Sequence, residues 1–154
     1  ASNGPHTNGY SLIRKICEKQ DLEVWRAELK SSLADALLEP HRSYLNVVKP
    51  VLPQVKGLAH ITGGGFIENI PRALPDGLQA LVDLSSWPVP PLFQWLQAQG
   101  GIDLEEMFHV FNMGIGLVAV IDPQVLPEIR AALPETCWVI GQLESGPRCE
   151  VLLQ

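Results

Sequence analysis

Leu58-Ala-His-Ile-Thr-Gly-Gly-Gly-Phe-Ile-Glu-Asn-Ile-Pro-Arg72 is the stretch that organises this chain. An apolar run with strand character enters three consecutive glycines, and a helix start follows. Glycine admits backbone conformations closed to other residues and lets a ligand approach the amides closely. A helix N-terminus behind such a turn presents free N–H groups and a positive dipole end. The bottom-up reading is a phosphate-type anion site at Gly63, Gly64 and Gly65, with Asn69 and Arg72 one turn further on supplying polar and cationic contacts. The pattern is not a P-loop, because Phe66-Ile67 stand where Gly-Lys-Ser/Thr would be required, and it is not the dinucleotide G-x-G-x-x-G. The competing reading is a tight strand-to-helix turn whose glycines serve packing alone.

Working outward, strand and helix signals interleave. The spacing of Leu12, Ile13, Ile16 and Cys17 predicts a helix over 10–19. A second helical piece is expected over 22–29, and a short turn capped by Ser32 and ending at Leu38 before Pro40. Residues 43–52 read as a helix interrupted by Pro50. Strands are expected at 57–62, 78–84 and 116–121. Trp87-Pro-Val-Pro-Pro91 is a stiff linker, and Pro91 suits the first turn of a helix to Gln99 that Gly100-Gly101 ends. Asp103 caps a helix to Val110, with Glu106 at the capping-box position. Pro123 opens a helix to Leu133. Residues 138–143 and 149–153 are expected to form a C-terminal hairpin around Ser145-Gly-Pro147. Without a strict βαβ repeat, the pattern predicts an α+β domain in which helices pack on a mixed β-sheet.

The 154 residues suit one domain spanning 1–154. An apolar fraction of 46% supplies a core, and 18% charged residues place the chain among globular rather than disordered proteins. A formal charge of -6 argues against nonspecific nucleic-acid binding, which needs a basic face. No apolar run reaches the ~20 residues a membrane helix needs, and no signal peptide is evident. Cys17, Cys137 and Cys149 show no metal-ligand spacing, so no metal site is expected. They read as free thiols of a cytoplasmic protein, with a Cys137–Cys149 pairing the alternative.

His6 lies in the loop Gly4-Pro-His-Thr-Asn-Gly9. It reads either as a solvated loop residue or as a proton-transfer group, since histidine titrates near neutrality. Asn8 offers donor and acceptor together, for a ligand or for capping. His60, flanked by Ala59 and Ile61, reads as a half-buried structural residue. Asn112-Met-Gly-Ile-Gly116 is a second glycine turn, suited equally to a backbone bend and to ligand contact.

Four ordered stretches carry a resemblance. They are Gly4-Pro-His-Thr-Asn-Gly-Tyr-Ser-Leu12, Leu37-Leu-Glu-Pro40, His60-Ile-Thr-Gly-Gly-Gly65 with Asn69-Ile-Pro-Arg72, and Glu106-Met-Phe-His-Val-Phe-Asn-Met-Gly-Ile-Gly116. Together they resemble the C-terminal half of the aminoimidazole ribonucleotide synthetase family, the phosphoribosylformylglycinamidine cyclo-ligases. The likeness covers nearly the whole chain. Departures fall at His41 and Ser43, where the family pattern leads one to expect a threonine and a larger aliphatic residue.

The resemblance implies a parent that converts formylglycinamidine ribonucleotide and ATP to aminoimidazole ribonucleotide in purine biosynthesis. Phosphorylation turns the formyl oxygen into a leaving group, and an amidine nitrogen then closes the imidazole ring. It implies a homodimeric parent, and an N-terminal domain that holds most of the ATP site and the Mg2+ ligands. With no initiator methionine and a motif at once, the chain is expected to be an excised C-terminal half, inactive alone. The resemblance assigns His6 as catalytic, facing the cleft. It assigns Asn8, Gly63, Gly64, Gly65, Asn69, Arg72 and Asn112 to substrate binding. The alternatives are a sister enzyme of the same architecture (formylglycinamidine ribonucleotide synthetase, selenophosphate synthetase or thiamine-phosphate kinase) and a non-catalytic interaction module.

Overall fold

A computed structural model describes every residue except Arg148. Helix α1 (Tyr10–Cys17) turns Ile13 and Cys17, one turn apart, into the core. Gly9, at φ 70°, makes the left-handed entry to it. Where a helix over 22–29 was expected, the chain forms a small ribbon of β1 (Trp25–Arg26) and β2 (Ser31–Ser32). The physical reason is local. Asp21 accepts from the Glu23 amide at 3.0 Å, Lys30 turns at φ 54°, and Val24 and Trp25 stay exposed. A helix this short needs an apolar face to bury, and in this segment only Leu29 packs against the core.

Ser32 caps α2 (Leu33–Leu38), accepting from the Asp35 amide at 3.0 Å, and Leu33 and Leu37 point inward. The expected helix over 43–52 contracts to α3 (Leu45–Val48) and a 3-10 turn, Leu52–Gln54. Pro50 and Pro53 have no N–H to continue the ladder. Strand β3 (Val55–His60) follows, then α4 (Gly65–Asn69), a 3-10 turn over Pro71–Ala73, and β4 (Leu78–Val82). Beyond the proline linker lie α5 (Pro91–Gly100) and α6 (Leu104–Val110). Asp103 caps α6 by accepting from the Glu106 amide at 2.9 Å. Strand β5 (Leu117–Ile121), a 3-10 turn running into α7 (Leu126–Ala132), β6 (Gly141–Ser145) and β7 (Val151–Leu153) complete the chain.

Strands β3 and β5 pair antiparallel, with Leu58 opposite Ala119 and His60 opposite Leu117. The second sheet has the order β6-β4-β7. Its strands correct the expected C-terminal hairpin, because β6 and β7 do not pair with each other. β4 lies between them, antiparallel to β6 and parallel to β7, so Ala80 faces both Leu143 and Val151. A two-stranded hairpin is marginal by itself. Placing β4 in the middle satisfies both of its edges and buries Gln79, Ala80 and Val82. Helices with small sheets, one of them mixed, make this the expected α+β architecture.

The core is aromatic near the glycine turn. Phe66 stacks on Trp87 at 5.8 Å and meets Phe108 edge-on at 5.2 Å. Trp87 donates its indole N–H to the Met113 carbonyl at 3.0 Å, which locks the proline linker against the second glycine turn. All three cysteines are free.

Candidate active site

The site grows from the end of β3. Beyond His60 the β3–β5 ladder runs one step further, with the Ile61 amide donating to the Gly116 carbonyl at 2.9 Å. Asn8, 2% exposed, donates from Nδ2 to the Ile61 carbonyl at 3.2 Å. Asn112, wholly buried, donates to the Gly4 carbonyl at 2.8 Å and accepts from the Ser2 hydroxyl at 2.7 Å and the Gly114 amide at 3.0 Å. These bonds bind the N-terminal segment across the strand ends, and that segment carries His6.

His6 is not a solvated loop residue. It is 4% exposed and sits at φ 57°. Its ring stacks on His41 at 3.8 Å between centroids, and His41 Nε2 lies 3.2 Å from His60 Nε2. Tyr44 closes the cluster edge-on to both His6 and His60. Arg42 lies over the Tyr44 ring at 5.1 Å and forms a two-pronged ion pair with Glu135. His6 Nε2 is 2.9 Å from Asn3 Oδ1, while Nδ1 is buried with no hydrogen-bond partner. Burial first, then the nearby His41, His60 and Arg42, push the His6 pKa down to about 4. Burial and His41 lower that of His60 as well. Burial pushes the Tyr44 hydroxyl up to about 12. His6 and His60 are therefore neutral rings at neutral pH.

The glycine turn lies two residues beyond His60. Gly64 and Gly65 take φ of 90° and 53°. A Cβ on Gly65 would strike the Phe108 backbone carbonyl, so this glycine serves the packing of α4 on α6. Gly63 has open space around it. Asn69, 6% exposed, spends its amide on the turn itself, donating to the carbonyls of Thr62 at 3.3 Å, Gly63 at 3.1 Å and Gly65 at 2.8 Å. Arg72 donates to the Asn69 side-chain oxygen Oδ1 at 3.1 Å and pairs with Glu68 at 2.9 Å. Glu68 also meets His109 at 3.2 Å, and its carboxylate lies against Gly64. The helix after the turn has five residues, so few peptide dipoles add along it. In this arrangement the turn is closed on itself, with a carboxylate at its mouth and the Arg72 charge compensated.

The structure thus brings the expected residues into two adjoining groups. His6, Asn8 and Asn112 gather at the strand ends with His60. Gly63, Gly64, Gly65, Asn69 and Arg72 gather at the turn. Reasoning from sequence missed His41, Tyr44, Glu68 and His109. No spacing rule joins His6, His41 and His60 across the chain. The only signal was that His41 departs from the family pattern.

The family description "AIR synthase related protein, C-terminal domain" matches residues 1–154. The chain belongs to that family. Curated relatives agree with it. Phosphoribosylformylglycinamidine cyclo-ligase of Coxiella burnetii (strain RSA 493 / Nine Mile phase I) is 46% identical over 151 residues, covering 95% of this chain and 43% of the relative. The protein of that name from Bacillus subtilis (strain 168) is 45% identical over 157 residues, covering 95% and 44%. The one from Chromobacterium violaceum is 47% identical over 152 residues, covering 93% and 43%. The chain spans under half the length of these relatives. Among the described residues, no helix is long and apolar enough to cross a membrane.

The donor set here suits different ligands unequally. Mg2+ prefers oxygen ligands. Among the described residues, the one group of three potential metal ligands is the three imidazoles, which do not fit it. A phosphate fits better, since Arg72 is largely exposed and Gly63 is open, provided Glu68 moves aside.

Proposed function

We propose that this domain forms one wall of the active cleft of a cytoplasmic phosphoribosylformylglycinamidine cyclo-ligase, and that it is inactive without an N-terminal domain. In that reading ATP and Mg2+ are held mainly by the N-terminal domain of the same parent, a homodimer. Formylglycinamidine ribonucleotide lies between the two domains. The supporting observation is that a buried, neutral histidine loop, fastened by Asn8 to the Ile61 carbonyl, and a glycine turn that begins at Thr62 adjoin the same strand end. A substrate phosphate at the turn would then leave its reacting end near His6. The names carried by the relatives favour this reading over a sister enzyme or a non-catalytic module.

Each residue has work to do in that arrangement. Arg72, released from Glu68, pairs with the substrate phosphate beside the Gly63 and Gly64 backbone. Asn69 holds the turn in shape, and Asn112 and Asn8 hold the His6 loop. In the tautomer whose Nε2 donates to Asn3 Oδ1, His6 Nδ1 carries a free lone pair, and neutral imidazole accepts the proton that the attacking amidine nitrogen sheds on ring closure. A phosphate nearby favours the charged imidazolium and raises the His6 pKa toward neutrality, so binding itself would make the base more effective. ATP supplies the phosphoryl group that activates the formyl oxygen.

The test is ADP release with formylglycinamidine ribonucleotide and Mg-ATP, using this chain with and without a separately expressed N-terminal half. Turnover in the mixture alone is the expected result. Turnover by this chain alone would overturn the division of labour. Silence in a mixture of folded, associated halves would overturn the cyclo-ligase reading.

A further inference from the structure

The geometry points to a second capacity at the same strand end: His6, His41 and His60 form a three-imidazole site for a borderline-soft divalent transition ion of the Zn2+ class. One ring nitrogen from each residue lies within 4.8 Å of the others. His41 Nε2 and His60 Nε2 are 3.2 Å apart. Zn–N bonds of about 2.0–2.1 Å set tetrahedral ligand nitrogens about 3.3 Å apart, so this pair already spans one edge of such a site. His41 and His60 are exposed and form the rim, whereas His6 is buried and forms the floor.

Two further observations support a metal rather than a structural cluster. His6 Nδ1 is a buried nitrogen with no partner, and an unmet buried acceptor is costly to keep. His6 Nε2 sits 2.9 Å from Asn3 Oδ1. If Nε2 carries the proton, Nδ1 is left as a bare lone pair, and a carbonyl on the far nitrogen is the usual orienting partner of a ligating histidine.

One rearrangement is needed. Imidazole binds a metal in the plane of its ring, and the parallel stack of His6 and His41 keeps one ion from lying in both planes. His41 lies in the segment without regular structure between α2 and α3 and is exposed, so it can turn out of the stack. Imidazole ligands select Zn2+, Ni2+, Cu2+ or Co2+ over Mg2+. Bound metal would occupy His6 and so compete with its role as a base. The site does not depend on the cyclo-ligase reading.

The test uses the 154-residue chain with Co2+ as the spectroscopic probe and Zn2+ as competitor. The expected result is a visible ligand-field spectrum of tetrahedral type, at one equivalent, without an intense near-ultraviolet thiolate band. Zn2+ should abolish it, and a large excess of Mg2+ should leave it in place. His41→Ala and His60→Gln, with wild-type circular dichroism and unfolding midpoints, should each weaken Zn2+ binding measured by calorimetry about tenfold or more. Unchanged affinity in both folded variants, a thiolate band, or no Co2+ spectrum would each overturn the proposal.

Discussion

The side-chain amide of Asn112 donates to the backbone carbonyl of Gly4 at 2.8 Å, joining two segments 108 positions apart. Asn112 is fully buried and meets Ser2 and Gly114 as well. It is thus the fastening that holds the His6 loop over the end of the β3–β5 pair. Asn112→Ala strands the Gly4 carbonyl and the Gly114 amide. The expected loss is about 1–3 kcal/mol for each buried group left without a partner. Denaturant unfolding measures the loss, and greater protease sensitivity confined to residues 1–9 would show that the loop itself is released. Unchanged stability would remove Asn112 from this role.

The His6 loop should come loose in acid. His6 has a folded pKa of about 4 against an ordinary 6.5. Its neutral form is favoured on folding, so the unfolded chain binds more protons between those values. The stability it contributes is complete above about pH 6.5 and is lost as pH falls toward 4. The effect is at most on the order of 3.4 kcal/mol. Unfolding midpoints in a chelator across pH 4–7 should show this slope, and His6→Gln should flatten it. A slope of equal size in that variant would show that other groups cause it.

Two of the three glycines at the turn differ sharply in what they tolerate. Gly65 has φ 53° and no room for a Cβ beside the Phe108 carbonyl. Gly65→Ala should cost about 2–4 kcal/mol, from left-handed strain together with displacement of α6. Gly63→Ala meets nothing within 4 Å and should stay within about 0.5 kcal/mol of wild type. Thermal unfolding of the two variants side by side is the check. Equal effects would mean the turn is not packed against α6 as described.

Glu68 is placed to compete with an incoming anion. It pairs with Arg72 at 2.9 Å and with His109 at 3.2 Å. Both partners are largely exposed, so Glu68→Gln should change stability by less than about 1 kcal/mol. It should nevertheless strengthen inorganic phosphate binding at the turn, followed by amide chemical shifts of residues 63–67. Weaker binding in this variant would argue that Glu68 helps rather than opposes the anion.

Local signals in the chain were dependable where they rested on one residue's chemistry. Ser32 and Asp103 cap the helices that their side chains can reach. Gly101 ends α5 in the left-handed region, where a residue without Cβ is favoured. The segment over 22–29 misled because, apart from Leu29, its apolar residues Leu22, Val24 and Trp25 stay exposed, so a helix there would gain little burial. The C-terminal hairpin misled because strand alternation does not say which edge a strand will choose. β4 offered two edges and took both β6 and β7.

By itself the sequence determined the α+β class, the family and the strand entering the glycine turn, because these follow from residue chemistry over a few neighbours and from ordered motifs. Only the tertiary structure decided that Asn69 and Asn112 spend their amides on backbone carbonyls and that Glu68 guards Arg72. It alone decided that His41 joins His6 and His60. Those outcomes depend on which distant segments meet and how deeply they are buried, and no local periodicity encodes a contact between a loop at residue 6, a loop at residue 41 and the end of a strand at residue 60.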